Sequence, residues 1–581
     1  MSLLSRFDFF TTITSSQVNW KEQFQGWRRR VSFLLALLII LSVVGFSIGY
    51  FAGHDLKGAS TWRLGFVMII SVAFGYALVQ SSYGFGAHFR VFYKQQYELV
   101  DIKKIQNSSD DDTQKLIHEG QTKEEAVSNP HRDEEKEQPP KEIILTPDKA
   151  LPQYSTMQAH CIMLAVATFL FSMLYIIDKA AGWHMYSPEA SPMTISIVIG
   201  GFLFGIGMQL GDACASGTLF TIGGGSLWSV YLLVFFVCGS VIATALQSAG
   251  DWNIGFKNHA GLSLLFPGTF LRKAFGIMFF EKNPWLEYLI AVIMMLTQIT
   301  ILVSIAAAIH FYYRRKNKKN QMDLSGDAEE QSGLINQDYE IDTRSPLQKL
   351  MSFVSMIVFR FIYGPWDLIS GSIALALLNF CFLLATQHPM GLTGPFAIIG
   401  CKILDAIAPS LDVPKWSAWK DIDLRKANML FNSNFILDFG IVYGALIVGL
   451  LRGKFPSFLD GFSLKSLSHT FKSHKQGDHS SSIFTTLKRI LNNIGNWLKN
   501  NIGIAIAKII GGICMGIGAK FGYGCNIGAY FSGVSCMSIH GYSWITMALL
   551  GGYIGAVVRP LFGYKKRKVA CGTVCNTASI Y

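Results

Sequence analysis

The sequence predicts an all-α, polytopic membrane protein with two inverted-topology halves, whose glycine-interrupted re-entrant or short helices meet at the bilayer midplane. The first observation behind this prediction is composition: of 581 residues, 50% are hydrophobic and 15% charged, against about 25% charged in soluble domains. The second is the uncharged runs at 31–51, 227–247 and 288–309, because a membrane helix needs roughly 20 apolar residues. The third is an internal repeat.

The repeat relates residues 200–220 to residues 511–531. At a constant offset of 311, without a gap, the two stretches share nine of twenty-one residues, and seven of those nine are glycine or cysteine. Glycine fills ordinary helices poorly but lets backbones approach closely. Paired glycine-interrupted segments in an apolar chain are typical of transporter binding sites. The repeat therefore predicts such a site, with Cys214 and Cys525 as equivalent thiols.

Basic clusters at 28–30, 314–319 and 565–568 account for much of the net charge of +12. They lie beside apolar runs, as cytoplasmic loop charges do, so they predict no nucleic-acid partner. If all three are cytoplasmic, the N-terminus is inside and the 194–249 hairpin begins and ends outside. The 502–562 hairpin then begins and ends inside, which makes the pair an inverted repeat. We expect the plasma membrane, or the bacterial inner membrane.

Apolar segments and polar linkers alternate along the chain. The segments predicted to be apolar or membrane-spanning are 31–51, 64–83, 160–177, 194–213, 227–247, 286–312, 351–364, 368–386, 397–408, 431–451, 502–520 and 541–562. Residues 101–155 are predicted to be a disordered charged loop, because 101–150 lack aromatic residues and could not bury enough apolar surface. The chain then divides into 1–30, 31–100, 101–155, a first repeat half at 156–313, a linker at 314–348, helices at 349–452, a polar or amphipathic segment at 453–500, a second repeat hairpin at 501–562 and a basic tail at 563–581.

The ten cysteines are scattered singly through apolar segments, apart from the CxxxC pair of Cys571 and Cys575. This spacing fits neither a disulfide framework nor a zinc site. We therefore expect no metal, no cofactor and no catalytic residue. A lone cysteine in an apolar helix is usually a small packing residue, and this interpretation applies to Cys161, Cys238, Cys381, Cys401, Cys514 and Cys536.

The two repeat stretches resemble the YeeE/YedE family of sulphur transport proteins. The resemblance rests on residues 201–219, which contain a GxGM motif at 205–208, the cysteine at 214 and a GTL motif at 217–219. It also rests on residues 522–528 in the second half. Residues 80–90 are similar to the family's first motif, and 389–396 to its third. Together these stretches cover both membrane halves but not the polar linkers.

The resemblance implies transport of a small sulphur-containing inorganic anion, thiosulfate or a related one, through an hourglass with a cysteine-lined constriction. The anion would pass between thiols by hydrogen bonds, and a sulphur-carrier protein is a candidate partner. The cysteine of the first motif is replaced by Gly84, so only Cys214 and Cys525 of the relay are present. A cysteine buried among apolar groups is expected to be a neutral thiol, which is a weak donor to an anion.

The predicted pathway residues combine these thiols with the glycines that bracket them and with polar side chains from all the motifs. They are Cys214, Cys525, Gly211, Gly217, Gly522, Gly528, Lys520, Gln209, Gly84, Gln80, Gly391 and Thr393. Lys520 is either an anion contact or a side chain that snorkels or pairs with an acid. The glycines are alternatively helix-packing positions. Asp212 is expected to be paired or at the pore mouth, and His88, Gln387 and His388 are either pore residues or structural groups.

Two other functions remain open. One is a membrane thiol oxidoreductase in which Cys214 and Cys525 exchange a disulfide, although the chain has no CxxC motif. The other is a sensor on a transporter fold, which the long linkers and the missing first cysteine would fit. Since no nucleotide-binding loop is evident, transport would be facilitated or ion-coupled, and the protein is not expected to be an enzyme.

Overall fold

The structure is a computed structural model, and it describes residues 27–52, 61–86, 97–100, 155–250, 263–266, 284–325, 358–359, 361–420, 422–452, 502–564 and 567–570. The predicted loop at 101–155 and the amphipathic segment at 453–500 lie almost entirely outside these residues, as do His88, Cys571 and Cys575. Most of the predicted apolar segment at 351–364 lies outside them as well.

The described part of the chain is almost entirely helical. Its α-helices are α1 (Trp27–Ala52), α2 (Thr61–Gln80), α3 (Ser155–Ala180), α4 (Ile195–Gly211), α5 (Ala215–Gly223), α6 (Leu227–Ala249), α7 (Pro284–Ser325), α8 (Leu368–Thr386), α9 (Gly394–Ile407), α10 (Ser433–Leu451), α11 (Ile502–Phe521), α12 (Gly533–Ser535) and α13 (Ile539–Val558). A π-helix spans Asn526–Ser532, and short 3-10 helices span Pro409–Leu411, Val413–Lys415, Ser417–Trp419, Met429–Phe431 and Arg559–Phe562. Two four-residue strands, β1 (Tyr97–Val100) and β2 (Arg567–Ala570), pair in parallel.

Ten segments of the described chain are long and apolar enough to cross a membrane. α4 and α5 together form one of them, Ile195–Gly223. The structure thereby confirms an all-α polytopic membrane protein. Large apolar side chains on α1, such as Leu34, Leu38 and Phe46, are more than half exposed. In a membrane this face meets lipid, because hydrocarbon is the only surrounding that accepts such a surface.

One predicted boundary is wrong. The basic cluster at 314–319 was expected to end the helix that begins near residue 286, but α7 continues to Ser325. Lysine, arginine and glutamine are good helix formers. The charges end the apolar span, which runs Trp285–Tyr312, while the helix itself extends into the polar surroundings.

The centre of the molecule is the crossing of α4 and α11, the first helices of the two repeat hairpins. A methyl group on Gly200 would overlap the backbone of Gly522, and one on Gly511 would overlap the backbone of Gly211. From Gly200 to Gly211 along α4, the contact on the other hairpin moves back from Gly522 to Gly511, so α4 and α11 run antiparallel. Gly200 and Gly511 are repeat mates, and so are Gly211 and Gly522. A two-fold axis between the inverted hairpins therefore exchanges the two contacts, as an inverted repeat requires.

The outer helices of the hairpins follow the same symmetry with a small difference. Gly205 packs on Ala548 of α13, and its repeat mate Gly516 packs on Phe236 of α6. The two glycines are 311 residues apart in the sequence, whereas their partners, Phe236 and Ala548, are 312 apart. The second hairpin therefore has one more residue than the first between its cysteine and its outer helix. The π-helix Asn526–Ser532 follows that cysteine, where the first hairpin has the regular α5. π-Helical winding accommodates such an extra residue.

The remaining helices enclose this four-helix centre. α10 packs on α2, α5 and α1, while α3 lies between α7 and α8. Close approach again uses glycine, since methyl groups on Gly75 and Gly444 would overlap the backbones of α10 and α2 respectively. These helices bring the first motif, at the end of α2, and the third motif, between α8 and α9, to the two cysteines.

Candidate functional site

Cys214 forms the N-cap of α5 and is 1% exposed. Its Sγ accepts a hydrogen bond of 3.3 Å from the backbone N–H of Gly217 and lies 3.3 Å from the hydroxyl of Ser216. Gly217 leaves room for the sulphur, since a methyl group at this position would make a tight contact of 3.3 Å with it. The bend between α4 and α5 therefore places a thiol at a helix N-terminus, where the backbone dipoles favour negative charge.

Cys525 repeats this arrangement in the second hairpin. It is 1% exposed, forms the N-cap of the π-helix and accepts a hydrogen bond of 3.4 Å from the N–H of Ile527. The two thiols are close enough to interact electrostatically. All eight cysteines in the described part of the chain are free, so these two are not joined in a disulfide. The structure thus brings together the two thiols that the repeat paired.

The first motif lies directly against Cys214. A methyl group on Gly86 would be 3.1 Å from the backbone nitrogen of Cys214 and 3.5 Å from its Cβ. Gly84 is buried two residues earlier. The positive φ in this turn, 52°, belongs to Ser82, so the backbone at Gly84 does not itself require glycine.

Aromatic rings surround the first motif. Phe85 lies 5.5 Å from His160 of α3 and 6.4 Å from Tyr530 of the π-helix, measured between ring centroids. Tyr83 lies 5.0 Å from the same histidine, and the Tyr530 hydroxyl is 3.4 Å from His160 Nδ1. These groups connect the first motif to the second hairpin. They were not predicted as site residues, because aromatic residues in an apolar chain resemble ordinary packing.

The third motif is held against the π-helix by a small hydrogen-bond network. The Met390 N–H donates to Asn379 Oδ1 at 3.0 Å, and the Ser532 hydroxyl donates to the Met390 carbonyl at 2.9 Å. Asn379 Nδ2 in turn donates to Ser532. The network sets the neighbouring Gly391 so that its Cα would be 3.8 Å from a methyl group on Gly528. Gly391 and Gly528 therefore line the same small region beside Cys525.

Other predicted site residues lie elsewhere. Gly211 and Gly522 are at the α4–α11 crossing described above. The Lys520 ammonium is 5.4 Å from the centre of the Trp419 ring. Gln209 has a fully buried side chain near the α4 C-terminus. The Arg559 guanidinium donates a hydrogen bond to the backbone carbonyl of Gln209.

Gln80 ends α2, and Thr393 immediately precedes α9. The Gln80 Oε1 accepts a 2.6 Å hydrogen bond from Arg452, and its Nε2 donates to the Ile362 carbonyl. Thr393 precedes α9 and makes no side-chain capping bond. Asp212 forms a 2.7 Å ion pair with Arg559, which agrees with the expectation that this carboxylate is paired.

Three side chains that the sequence analysis did not place at the site cluster near Cys525. Asp438, 4% exposed, interacts electrostatically with the Cys525 thiol. Asn434, one helical turn earlier on α10, lies 3.6 Å from a methyl group placed on Gly391. Asn526 follows Cys525 and donates to Met208 Sδ at 3.2 Å. A carboxyl group inside an apolar run was the available signal, since intramembrane acids are rare and usually functional.

Within the described ranges, no group of three or more His, Cys, Asp or Glu side chains could hold a metal ion. What the site offers is neutral thiols, backbone N–H groups at two helix starts, and amide and carboxyl groups in an otherwise apolar setting. Such an arrangement can hold an anion weakly by several contacts at once, which conduction requires.

Comparison with known proteins agrees with this chemistry. Residues 151–463 and 497–554, more than half of the chain, match the family described as sulphur transport. A relative in Escherichia coli (strain K12), described as probable transporter YedE, is 38% identical over 56 residues, which are 9% of this chain and 14% of the relative. The match thus spans a small part of that relative's length. With ten candidate spans and this family match, the chain is a multi-pass integral membrane protein that belongs to the sulphur transport family.

Proposed function

We propose that the protein carries thiosulfate, or a closely related small sulphur-containing anion, through a constriction formed by Cys214 and Cys525. The observation that carries this proposal is the repeated geometry of the two cysteines: each buried thiol caps a short helix, and the two interact. Membership of the sulphur transport family supports the class of substrate.

The chemistry of the caps supports a stepping-stone mechanism. In each cap the sulphur accepts from a backbone N–H, so the cap itself does not use the thiol hydrogen, which can be donated to an anion or, at Cys214, to the Ser216 hydroxyl. A thiol is a weak donor, and the positive ends of the helices add a diffuse attraction. A soft dianion would therefore bind first at one thiol and then at the other, without the tight binding of an arginine. An anion bound at one of the two thiols would already be close to the second thiol.

Residues from the other motifs complete the proposed constriction. Gly86 abuts Cys214, while Gly391 and Gly528 lie beside Cys525. Glycine at these positions leaves room where a side chain would narrow the passage. Lys520 and Gln209 are not part of the proposed constriction. We also propose a cytoplasmic N-terminus in a plasma or bacterial inner membrane, and a sulphur-carrier protein that receives the anion on the inner side.

Uptake of radiolabelled thiosulfate into proteoliposomes tests the role of the thiols. Cys214→Ala and Cys525→Ala should each reduce uptake at least about tenfold, because removing a pathway group worth 1.4 kcal/mol or more has this effect. The corresponding serine variants should keep partial activity at best, since a hydroxyl is a harder and smaller donor. Cys401→Ala is the matched control: this buried cysteine lies near Trp419, away from the two caps.

Normal transport by a double Cys214→Ala, Cys525→Ala protein would show that the cysteines only fill space. An oxidoreductase makes a different prediction, because its two thiols would convert to a disulfide during turnover. Non-reducing mass spectrometry after transport separates the two: free thiols are expected throughout.

A further inference from the structure

Asp438 is a buried carboxyl group in the middle of α10 (Ser433–Leu451). Only 4% of the residue is exposed, and neither carboxyl oxygen has a hydrogen-bond partner among the described residues. Buried polar atoms are nearly always satisfied, so such a group points to a water or ligand that the protein alone does not supply.

The position of Asp438 on α10 puts it beside the proposed constriction. It shares a helix face with Val442 and Ala445, one and two turns later, which contact Gly223 of α5. α5 is the short helix that Cys214 caps. From the second hairpin, the Cys525 thiol lies within electrostatic reach of the carboxyl. Asp438 therefore lies near the Cys525 cap, on a helix that packs against the end of α5 opposite Cys214.

Other unsatisfied polar atoms lie in the same region. Asn434 Oδ1, on the same face of α10, and Asn526 Oδ1, next to Cys525, are both buried and without a hydrogen-bond partner in the ranges that the structure describes. The Asn434 side chain adjoins Gly391, which adjoins Gly528. Three buried polar side chains near Cys525, from two parts of the chain, thus have acceptor oxygens without a partner in the described ranges. Buried acceptors are usually satisfied, so this cluster is a second indication of a polar species at the site.

The other ionisable groups on elements packed against α10 are engaged elsewhere. Tyr50 donates to the Leu430 carbonyl, and Tyr76 contacts the Ile362 carbonyl. Beyond Cys214 and Cys525, the other ionisable side chains that the structure describes on these elements are also engaged. His388 lies near Ser433, Arg63 lies over Trp62, and Lys402 donates to the Ala427 carbonyl. Cys401 interacts with Lys520, and Asp405 is paired with Arg425. On α10 itself Tyr443 packs on Phe439, and at its end Arg452 donates to Gln80. None of these described side chains forms a hydrogen bond or ion pair with Asp438.

An unpaired carboxylate in this setting is strongly disfavoured, because burial without a partner removes its hydration. With a proton, the group is neutral and becomes a donor, whereas without one it would repel an arriving anion. The two states of the carboxyl therefore have opposite effects on the same substrate.

We propose that Asp438 is the proton-binding site that couples sulphur-anion transport to a proton. The carboxyl takes up a proton from the side on which the anion enters, donates a hydrogen bond towards the anion at the constriction, and releases the proton on the other side once the anion has left. The inference rests on the proposed transport function and adds a co-transported ion to it. One carboxyl implies one proton per cycle.

Purified protein in proteoliposomes tests the coupling, with the membrane potential held at zero by potassium and valinomycin. A pH gradient of one unit, acidic outside, should drive about tenfold accumulation of labelled thiosulfate in wild type, since one coupled proton transmits a tenfold concentration ratio. Adding thiosulfate without a gradient should draw protons into the vesicles, reported by a trapped pH-sensitive dye.

Asp438→Asn mimics the protonated side chain and cannot release a proton. This variant should lose gradient-driven accumulation and the dye response, while the thiosulfate exchange that it retains should no longer depend on pH, because exchange needs no net proton movement. The matched control is Asp178→Asn, an equally buried aspartate whose carboxylate accepts hydrogen bonds from the backbone of Met185 and Tyr186. It should behave as wild type. Asp438→Glu retains an ionisable group and should retain coupled accumulation.

Gradient-driven accumulation by Asp438→Asn would overturn the proposal, as would wild-type thiosulfate transport with no proton movement. Loss of exchange in a well-folded Asp438→Asn protein would also overturn it, since the residue would then serve binding or structure. If Asp438→Asn does not fold, the wild-type dye signal and Asp438→Glu decide the matter. Absence of transport of any sulphur anion by folded wild type contradicts the proposed function instead, so the two failures are distinguishable.

Discussion

Replacing Gly207 by alanine tests whether the crossing of α4 and α11 depends on backbone contact. The added methyl group would lie 2.6 Å from Met515 Cγ and 2.7 Å from both the Gly511 carbonyl oxygen and the Met515 nitrogen. Favourable carbon contacts are about 3.5–4.0 Å long, so the helices must separate by close to 1 Å. Overfilling a packed interior costs about 1–3 kcal/mol. We expect a destabilisation of this size, and lower uptake, because α4 ends three residues before Cys214.

The assay is thermal unfolding in detergent, followed with a dye that reacts with newly exposed thiols. Because multi-helix membrane proteins often unfold irreversibly, the variants are compared at one heating rate. Gly49→Ala is the control: no heavy atom lies within 4 Å of a methyl group there, and alanine is favoured over glycine in a helix by about 1 kcal/mol. A Gly207→Ala protein that unfolds at the temperature of wild type would refute the argument that this seam needs glycine.

Two further predictions concern the motifs around the constriction. Gly84→Cys, which adds a thiol to the first motif, should shift competed uptake towards thiosulfate and away from sulfate or sulfite. Unchanged selectivity in a well-folded variant would show that the first motif does not set substrate choice. Asn379→Leu removes the two hydrogen bonds that Asn379 makes, one from the Met390 N–H and one to Ser532, so it should lower uptake several-fold, as 1 kcal/mol or more is lost with a buried hydrogen-bond network. Uptake equal to that of wild type at matched expression would mean that packing and the direct Ser532–Met390 hydrogen bond hold the loop without Asn379.

The repeat made the centre of the fold predictable from the sequence. Identical glycines at a constant offset identified the two hairpins, and the antiparallel crossing at Gly200 and Gly511 follows from that register. The same pattern paired Cys214 with Cys525. The far end of α7 was not predictable in the same way, because basic residues end a membrane span without ending a helix.

The polar part of the site was harder to predict, because it depends on which face of each helix meets which neighbour. Lys520 aligns with Gln209 in the repeat, yet its ammonium lies over Trp419, a residue of an intervening loop. Asp438 was visible as an acid in an apolar run, but its proximity to Cys525 arises from the packing of α10. No local pattern in the sequence specifies such a long-range contact.

The π-helix after Cys525 makes the two halves of the molecule unequal. With perfect two-fold symmetry, the free-energy profile of an anion crossing the centre would be the same from either direction. Along the proposed pathway the anion would meet a regular helix start at Cys214 and a wider, seven-residue π-helix at Cys525. The two approaches would then have barriers of different height, so we expect inward and outward transport to differ in half-saturation concentration and maximal rate. The concentration ratio of the anion at equilibrium would still be fixed by the driving gradients alone. Under this proposal, a single added residue gives the duplicated framework a kinetic polarity.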